Sequence, residues 1–209
     1  MPLTKHKSAN VSKVEPKNAS RDRRVVRTRK QIDAAFVDLL HRRSYGNIRV
    51  SDITKKAGVG RATFYAHYVS KDDLLLSQFQ RIVAPMLAAT PKDACPLNAV
   101  AFLAHVKGAP RIYKALMGPE AGKAPGILRE CIEQRVRQAL ATVDGEPVSA
   151  SFNVQKMIAP RFVASSLLAV IQCSIEGDAS ESPESLQAIF SKLVGGGLAL
   201  FTDARAGST

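Results

Sequence analysis

Apolar residues recur at helical spacing along most of the chain, and the breaks between those runs divide it into segments. Ile32, Ala35, Phe36 and Leu39 fall at i, i+3, i+4 and i+7 and form one stripe. A run of Arg21, Arg23, Arg24, Arg27, Arg29 and Lys30 leads into it, and Gly46 after Ser44 and Tyr45 is expected to stop that helix. Val50, Ile53 and Ala57 repeat the period over about two turns. Ala57-Gly58-Val59-Gly60 then interrupts it: Gly58 suits the left-handed turn that closes a helix, and Gly60 suits the approach to the next. A second short helix, Arg61 to Tyr68, turns Phe64 and Tyr68 inward with Val59 and leaves Arg61, Ala62, Thr63, Tyr65 and His67 outside. Two short helices around a glycine turn, the second bearing hydrogen-bonding side chains, make a helix-turn-helix pattern.

Further along, Ser70 is placed to cap a fourth helix with Asp72 and Asp73 in its first turn, and Leu75, Phe79, Ile82 and Met86 continue its stripe. Pro91 to Pro96 reads as a loop. Beyond it the pattern predicts helices Leu97–Lys107, Pro110–Met117, Gly126–Val143, Pro160–Glu176 and Pro183–Asp203. The helix from Pro160 is apolar over most of its surface, which requires burial on several sides. No internal repeat and no β-rich segment is present. The pattern therefore predicts an all-α chain: a polar basic arm over residues 1–20 that cannot fold alone, a helix-turn-helix domain over 21–71, and a helical domain over 72–209, to which the family resemblance given below assigns ligand binding and dimerisation.

Charge sharpens this division. Through Lys71 the chain carries seventeen Lys or Arg against five Asp or Glu, and from Asp72 onward thirteen against thirteen, so the whole net charge of +12 lies in the first part. Basic charge gathered at one end suits phosphate neutralisation and makes binding salt-dependent. The arm lacks an apolar face for a membrane surface. No run of eighteen apolar residues occurs, so no membrane-spanning helix is expected, and no apolar segment follows the basic N-terminus as in a secretory signal. Cys95, Cys131 and Cys173 are widely separated and form no metal-ligand spacing with the four histidines. A cytoplasmic protein without metal or cofactor is the expectation. Nor is there a Walker loop, a dinucleotide-binding glycine pattern, an HExxH or a recognisable Ser/His/Asp set, which argues against an enzyme.

Over roughly Arg21 to Phe79 the sequence resembles the TetR family of bacterial transcriptional regulators. The similar positions are Ile53, Ala57, Gly58, Val59, Thr63, Phe64, Tyr65, His67, Tyr68, Lys71, Leu74 and Leu75, within AGVGRATFYAHYVSKDDLL. The resemblance implies that the second short helix enters the DNA major groove. By position it makes Arg61 a base or phosphate contact, Ala62 a partner for a thymine methyl and Thr63 a phosphate, base or turn-capping residue. Tyr65 becomes an exposed backbone or base-edge contact, and His67 either a phosphate contact or an internal donor. Lys71, with a free charge beside helix N-terminal amides, is expected to anchor phosphate. Arg49 and Ser51 complete the expected DNA-binding set. The family usually begins its second helix with a Ser or Thr cap, whereas here Arg49 stands at that place, so Ser51 caps one residue late or the helix starts uncapped.

The resemblance further implies a double-stranded operator, a homodimer paired through the last two helices, and release by a small molecule. Small residues Ala164, Ser165, Ala169, Gly195, Gly196, Gly197 and Ala199 and apolar Phe190, Leu193, Leu198 and Phe201 supply material for the pairing, unless the last helix ends near Val194. Candidate pocket residues are Phe102, His105, Tyr113, Met117, Cys131, Arg135 and Gln172, each of which has an ordinary packing or surface alternative. Cysteine oxidation is a second mode of control, with Cys95 in its loop the most accessible thiol; inert structural cysteine is the alternative. Non-specific DNA coating and control by a partner protein are the other functions open to this sequence. Repression is the family's habit.

Overall fold

The computed structural model describes residues 17–90, 95–141, 150–177 and 181–203, and side chains within 22–90, 95–141, 157–177 and 181–198. Nine α-helices occur among them, and the fold is all-helical apart from one minimal strand pair. Helix α1 spans Lys17–Leu40. It begins inside the segment expected to be a disordered arm, whose residues 1–16 lie outside the described residues. Ile32, Ala35, Phe36, Leu39 and Leu40 are buried on one side of it, as the period requires.

The expected stop at Gly46 needs correction. α1 ends at Leu40, and Gly46 lies in a following 3-10 turn, Tyr45–Asn47. Its value is closeness: a Cβ there would sit 2.4 Å from the Glu120 carbonyl oxygen, and the Gly46 N–H donates to that oxygen at 2.9 Å. Helix α2 spans Val50–Ala57 and ends on Gly58 in the left-handed conformation, φ 66°. The start of α2 is Arg49, not Ser51. Asp52 takes the capping role from within the helix, its carboxylate accepting from the Arg49 N–H at 2.9 Å. Helix α3 is Arg61–Tyr65 and α4 is Lys71–Gln78. Ser70 caps α4 by accepting from the Asp73 N–H, while Asp73 accepts from the Val69 N–H.

Past Gln78 the helix widens into a π turn, Phe79–Val83, in which the Ala84 N–H reaches back to the Phe79 carbonyl. A wide turn holds more than four residues, so the buried stripe runs Leu75, Phe79, Val83, Leu87. Ile82 and Met86, expected on that stripe, are only half-buried. A two-residue antiparallel pair, β1 (Ala88–Ala89) with β2 (Leu97–Asn98), then pinches the proline loop, where no strand was expected.

The second half comprises α5 (Val100–Gly108), α6 (Pro110–Met117), α7 (Ala124–Ala141), α8 (Ala150–Glu176) and α9 (Pro183–Asp203). α7 lies along α8, and α9 packs on α5 and α8. Leu128, Ile132, Val136, Val163, Leu167, Ile171, Phe190 and Val194 fill the space between them. Two boundaries differ from expectation. Pro160 sits inside α8 instead of starting it, and α9 runs through its three glycines. Gly197 makes room there for the Phe162 ring of α8, which a Cβ would meet at 2.5 Å and push aside. Ala199 and Phe201, expected at a dimer surface, lie on α9 beyond the described side chains. Met157–Glu176, with a mean hydropathy of 1.6, is long and apolar enough to cross a membrane by length and composition alone. Its Val163, Ala164, Leu167 and Ile171 are buried against the chain's own core.

Candidate nucleic-acid interface

The outward face of α3 carries the candidate contacts. Gly60 enters in an extended conformation, and Phe64, fully buried, roots the helix in the core. Arg61, Ala62, Thr63 and Tyr65 are all exposed. Arg61 and Thr63 make no side-chain hydrogen bond or ion pair among the described residues, which leaves their donors available to a ligand. Tyr65 is 55% exposed, with its ring edge set against Phe64 at 5.5 Å. His67 is half-buried beside Tyr68 and shares a surface recess with Arg29, Asp73 and Ser77. Its ring accepts or donates no hydrogen bond among the described residues. At the start of α2, Arg49 is exposed and Ser51 half-buried.

Lys71 departs from its expected place. Its ammonium donates to the carbonyls of Tyr45 (2.9 Å), Ile48 (2.8 Å) and Gly46 (3.4 Å), and stands 4.3 Å from the Tyr45 ring centre. A lysine has three donors, and all three face carbonyl oxygens. The charge expected to be free is therefore spent inside the domain, on carbonyls in and just after the 3-10 turn, of which that of Tyr45 also accepts from the Ile48 N–H. Burial lowers its pKa from the ordinary lysine value. The Tyr45 hydroxyl donates to Asp72 beside it, and burial pushes its pKa well up.

A second network holds α3 against α1 and α4. The buried Tyr68 hydroxyl donates to Asp33 Oδ1 at 2.7 Å and accepts from Arg29 Nε at 3.1 Å. Arg81 pairs with the other Asp33 oxygen at 2.7 Å, and Arg29 reaches Ser77 at 2.8 Å. Burial, then the bond to Asp33, raises the Tyr68 pKa, and the bond to Tyr68 raises that of Arg29. The hydroxyl therefore stays neutral, with its proton directed at the Asp33 carboxylate. Sequence reasoning did not single out Arg29, Asp33 or Arg81 as positioning residues. One signal was present: Asp33 interrupts a helix face beside Ile32 and Phe36, and a buried carboxylate there needs partners.

The candidate pocket residues separate. Phe102, Met117 and Cys131 are buried in the core, and burial raises the Cys131 pKa. Arg135 donates to the Leu87 carbonyl at 2.9 Å, and Gln172 is exposed, bonded to Glu176 on its own helix. Only His105 and Tyr113 line a common cavity. Cys95, expected to be accessible, is buried with its Sγ 3.3 Å from the Leu97 carbonyl; Cys173 is the exposed one. Cys95 lies two residues before the second strand of the pair, and its carbonyl accepts from the Thr90 hydroxyl at 2.8 Å. Among the described residues no group of three His, Cys, Asp or Glu side chains is arranged to hold a metal.

Against known sequences, the model described as "Bacterial regulatory proteins, tetR family" matches residues 32–77. The chain is 48% identical over 67 residues to the "Uncharacterized HTH-type transcriptional regulator YxbF" of Bacillus subtilis (strain 168), covering 32% of this chain and 18% of that protein. It is 51% identical over 45 residues to the "Uncharacterized HTH-type transcriptional regulator YwcC" of the same organism, covering 22% and 20%. The chain thus matches only about a fifth of the length of each curated relative. A solved TetR transcriptional regulator from Streptococcus agalactiae 2603V superposes with a TM-score of 0.60 at 22% identity, over 85% of this chain and 98% of that one. That likeness carries the fold.

Proposed function

We propose that this chain, whose residues 32–77 match the TetR family of helix-turn-helix transcriptional regulators, represses transcription by reading a palindromic operator as a homodimer, and releases it when a small molecule binds. The observation that carries this reading is α3, which offers Arg61, Ala62, Thr63 and Tyr65 outward from a helix rooted by Phe64 and Tyr68. Arg61 reads guanine through its two-pronged donor set, and Ala62 and Thr63 lie beside it against the base edges. Arg49, Ser51, Tyr65 and His67 hold the backbone on either side. Lys71 acts from behind, by fixing the turn that carries Tyr45.

Support for the dimer comes from the outer faces of the last two helices. Ile189 and Leu193 on α9, one turn apart, are 46% and 56% exposed, and Met157 and Ile158 on α8 are also exposed. Small residues Ser165, Ala169, Ala188 and Gly196 lie on the same exposed sides. A second copy seated there buries this apolar surface and brings two readers to one duplex.

Selection from a random duplex pool at near-physiological salt, with the wild type and Arg61→Ala in parallel, tests the proposal. An enriched palindrome whose preference relaxes at one symmetric position in the variant is the expected result, by about 1–3 kcal/mol of discrimination. Binding with a salt slope but without an enriched sequence overturns it in favour of non-specific coating.

A further inference from the structure

Where the reader meets the regulatory half, the helices leave a cavity of about 140 Å³. Phe36 and Leu40 of α1, Phe79 and Ile82 of the π turn, and Ile112 and Leu116 of α6 form most of its wall. A hydrocarbon-lined cavity of about 150 Å³ is large enough for benzene, so the volume suits one six-membered ring. No carboxylate, lysine or arginine lines it. A charged occupant would give up its hydration without a counter-ion, so the fitting occupant is neutral.

Gln78, His105 and Tyr113 supply the wall's polar groups, and Gln78 is the one with a fully buried unpartnered atom among the described residues. It lines the cavity and is 7% exposed. Its Oε1 accepts from Arg81 at 2.9 Å, and a guanidinium can only donate, so this bond fixes which end of the amide faces Arg81. The other end, Nε2, is buried and has no hydrogen-bond partner among the described residues. Buried donors of this kind are rare in folded proteins, because leaving one unmade is costly. Water relieves such a donor only where it finds two to four polar partners, and this wall is mostly hydrocarbon. The π turn that begins one residue later is a local widening of the helix at this wall, a feature frequent at functional sites.

We propose that this cavity binds an uncharged, ring-sized molecule with a single hydrogen-bond acceptor, such as a cyclic or aromatic carbonyl, whose oxygen accepts from Gln78 Nε2. The occupant touches α1 of the reader on one side and α6 of the regulatory half on the other, so its arrival changes their separation. That regulatory consequence rests on the repressor reading above; the binding itself does not. The site differs from the dispersed set that the sequence suggested, since it uses α1 and the π turn and retains only His105 and Tyr113 of that set.

The test titrates the full chain, without DNA, with cyclohexanone, with methylenecyclohexane, in which a CH₂ replaces the oxygen, and with benzoate, followed by calorimetry or ligand-observed resonance. Cyclohexanone and methylenecyclohexane are expected to bind and benzoate not. Gln78→Met should weaken cyclohexanone about tenfold, the value of one hydrogen bond of ordinary strength, and leave the hydrocarbon unchanged or tighter. Ile112→Phe and Val37→Phe, at two half-buried wall positions, should abolish both while the circular dichroism stays wild-type. If one of these two fails to fold, the other decides. Absence of binding at millimolar probe, an equal effect of Gln78→Met on both ligands, or binding that survives cavity filling overturns the proposal. Because no duplex is present, failure here is separable from failure of the operator selection.

Discussion

Asp33 and Gln78 are each 7% exposed, and each is bonded to Arg81, yet they end in opposite conditions. Asp33, in the reader, has both oxygens engaged, one by the Tyr68 hydroxyl and one by the guanidinium. Gln78, at the wall shared with the regulatory half, has its oxygen engaged and its nitrogen alone. Around the reader the same completeness recurs, with Lys71 bonded to three carbonyls and Tyr45 to Asp72. A fully satisfied network specifies one geometry, whereas an unsatisfied group leaves something to be gained by a change of state. The reader's network holds a shape, and in the proposal above the junction is the part that responds.

Removing the reader's root is the hardest way to break this contrast. Phe64→Ala empties a fully buried site and is expected to cost about 3–5 kcal/mol, seen as an early thermal transition with loss of binding to every duplex. Next comes Gly46→Ala, which forces a methyl against the Glu120 carbonyl and should cost about 1–3 kcal/mol in urea denaturation while leaving the α3 face chemically intact. Tyr68→Phe and Gln78→Met sharpen the contrast directly. The first strips a donor from buried Asp33 and should cost about 1–3 kcal/mol. The second deletes an unpartnered donor along with one bond, and is expected to leave the midpoint of denaturation within about 1 kcal/mol of wild type or above it. Equal losses in the pair would erase the distinction between the two regions.

The smallest effect is on pH dependence. Burial lowers the Lys71 pKa in the folded chain. Between that value and the ordinary one near 10.5, the unfolded chain holds a proton that the folded chain has released. Lys71 therefore adds an upward slope to unfolding free energy as pH rises through this window, and Lys71→Met should remove that slope in denaturation series from pH 8 to 10.

Much of the reader was legible in the sequence because its signals are local. Gly58 needs a left-handed turn, Ser70 caps the helix that follows, and Phe64 and Tyr68 face inward at the spacing of one turn. Lys71 misled because its spacing places it near helix amides, while its partners Tyr45, Gly46 and Ile48 are more than twenty residues away. Gly46 misled for the same reason: its constraint is the Glu120 carbonyl, a contact between domains. The π turn left no trace in a reading based on 3.6-residue periodicity, so Val83 and Leu87 replaced Ile82 and Met86. The cavity combines wall residues from α1, α4, the π turn, α5 and α6, so only His105 and Tyr113 were anticipated.

The confinement of all the net charge to the first 71 residues has a mechanical consequence. A body that is positive at one end and neutral at the other experiences a torque near a polyanion. It turns its basic end forward before any atom touches, within a screening length of about 8 Å at physiological ionic strength. The neutral end meanwhile lets two strongly cationic molecules meet with their charged ends apart, where screening weakens the repulsion between them. Lowering the salt therefore speeds capture of a duplex and slows encounters between two such chains, so the two rates move in opposite directions along one experimental axis.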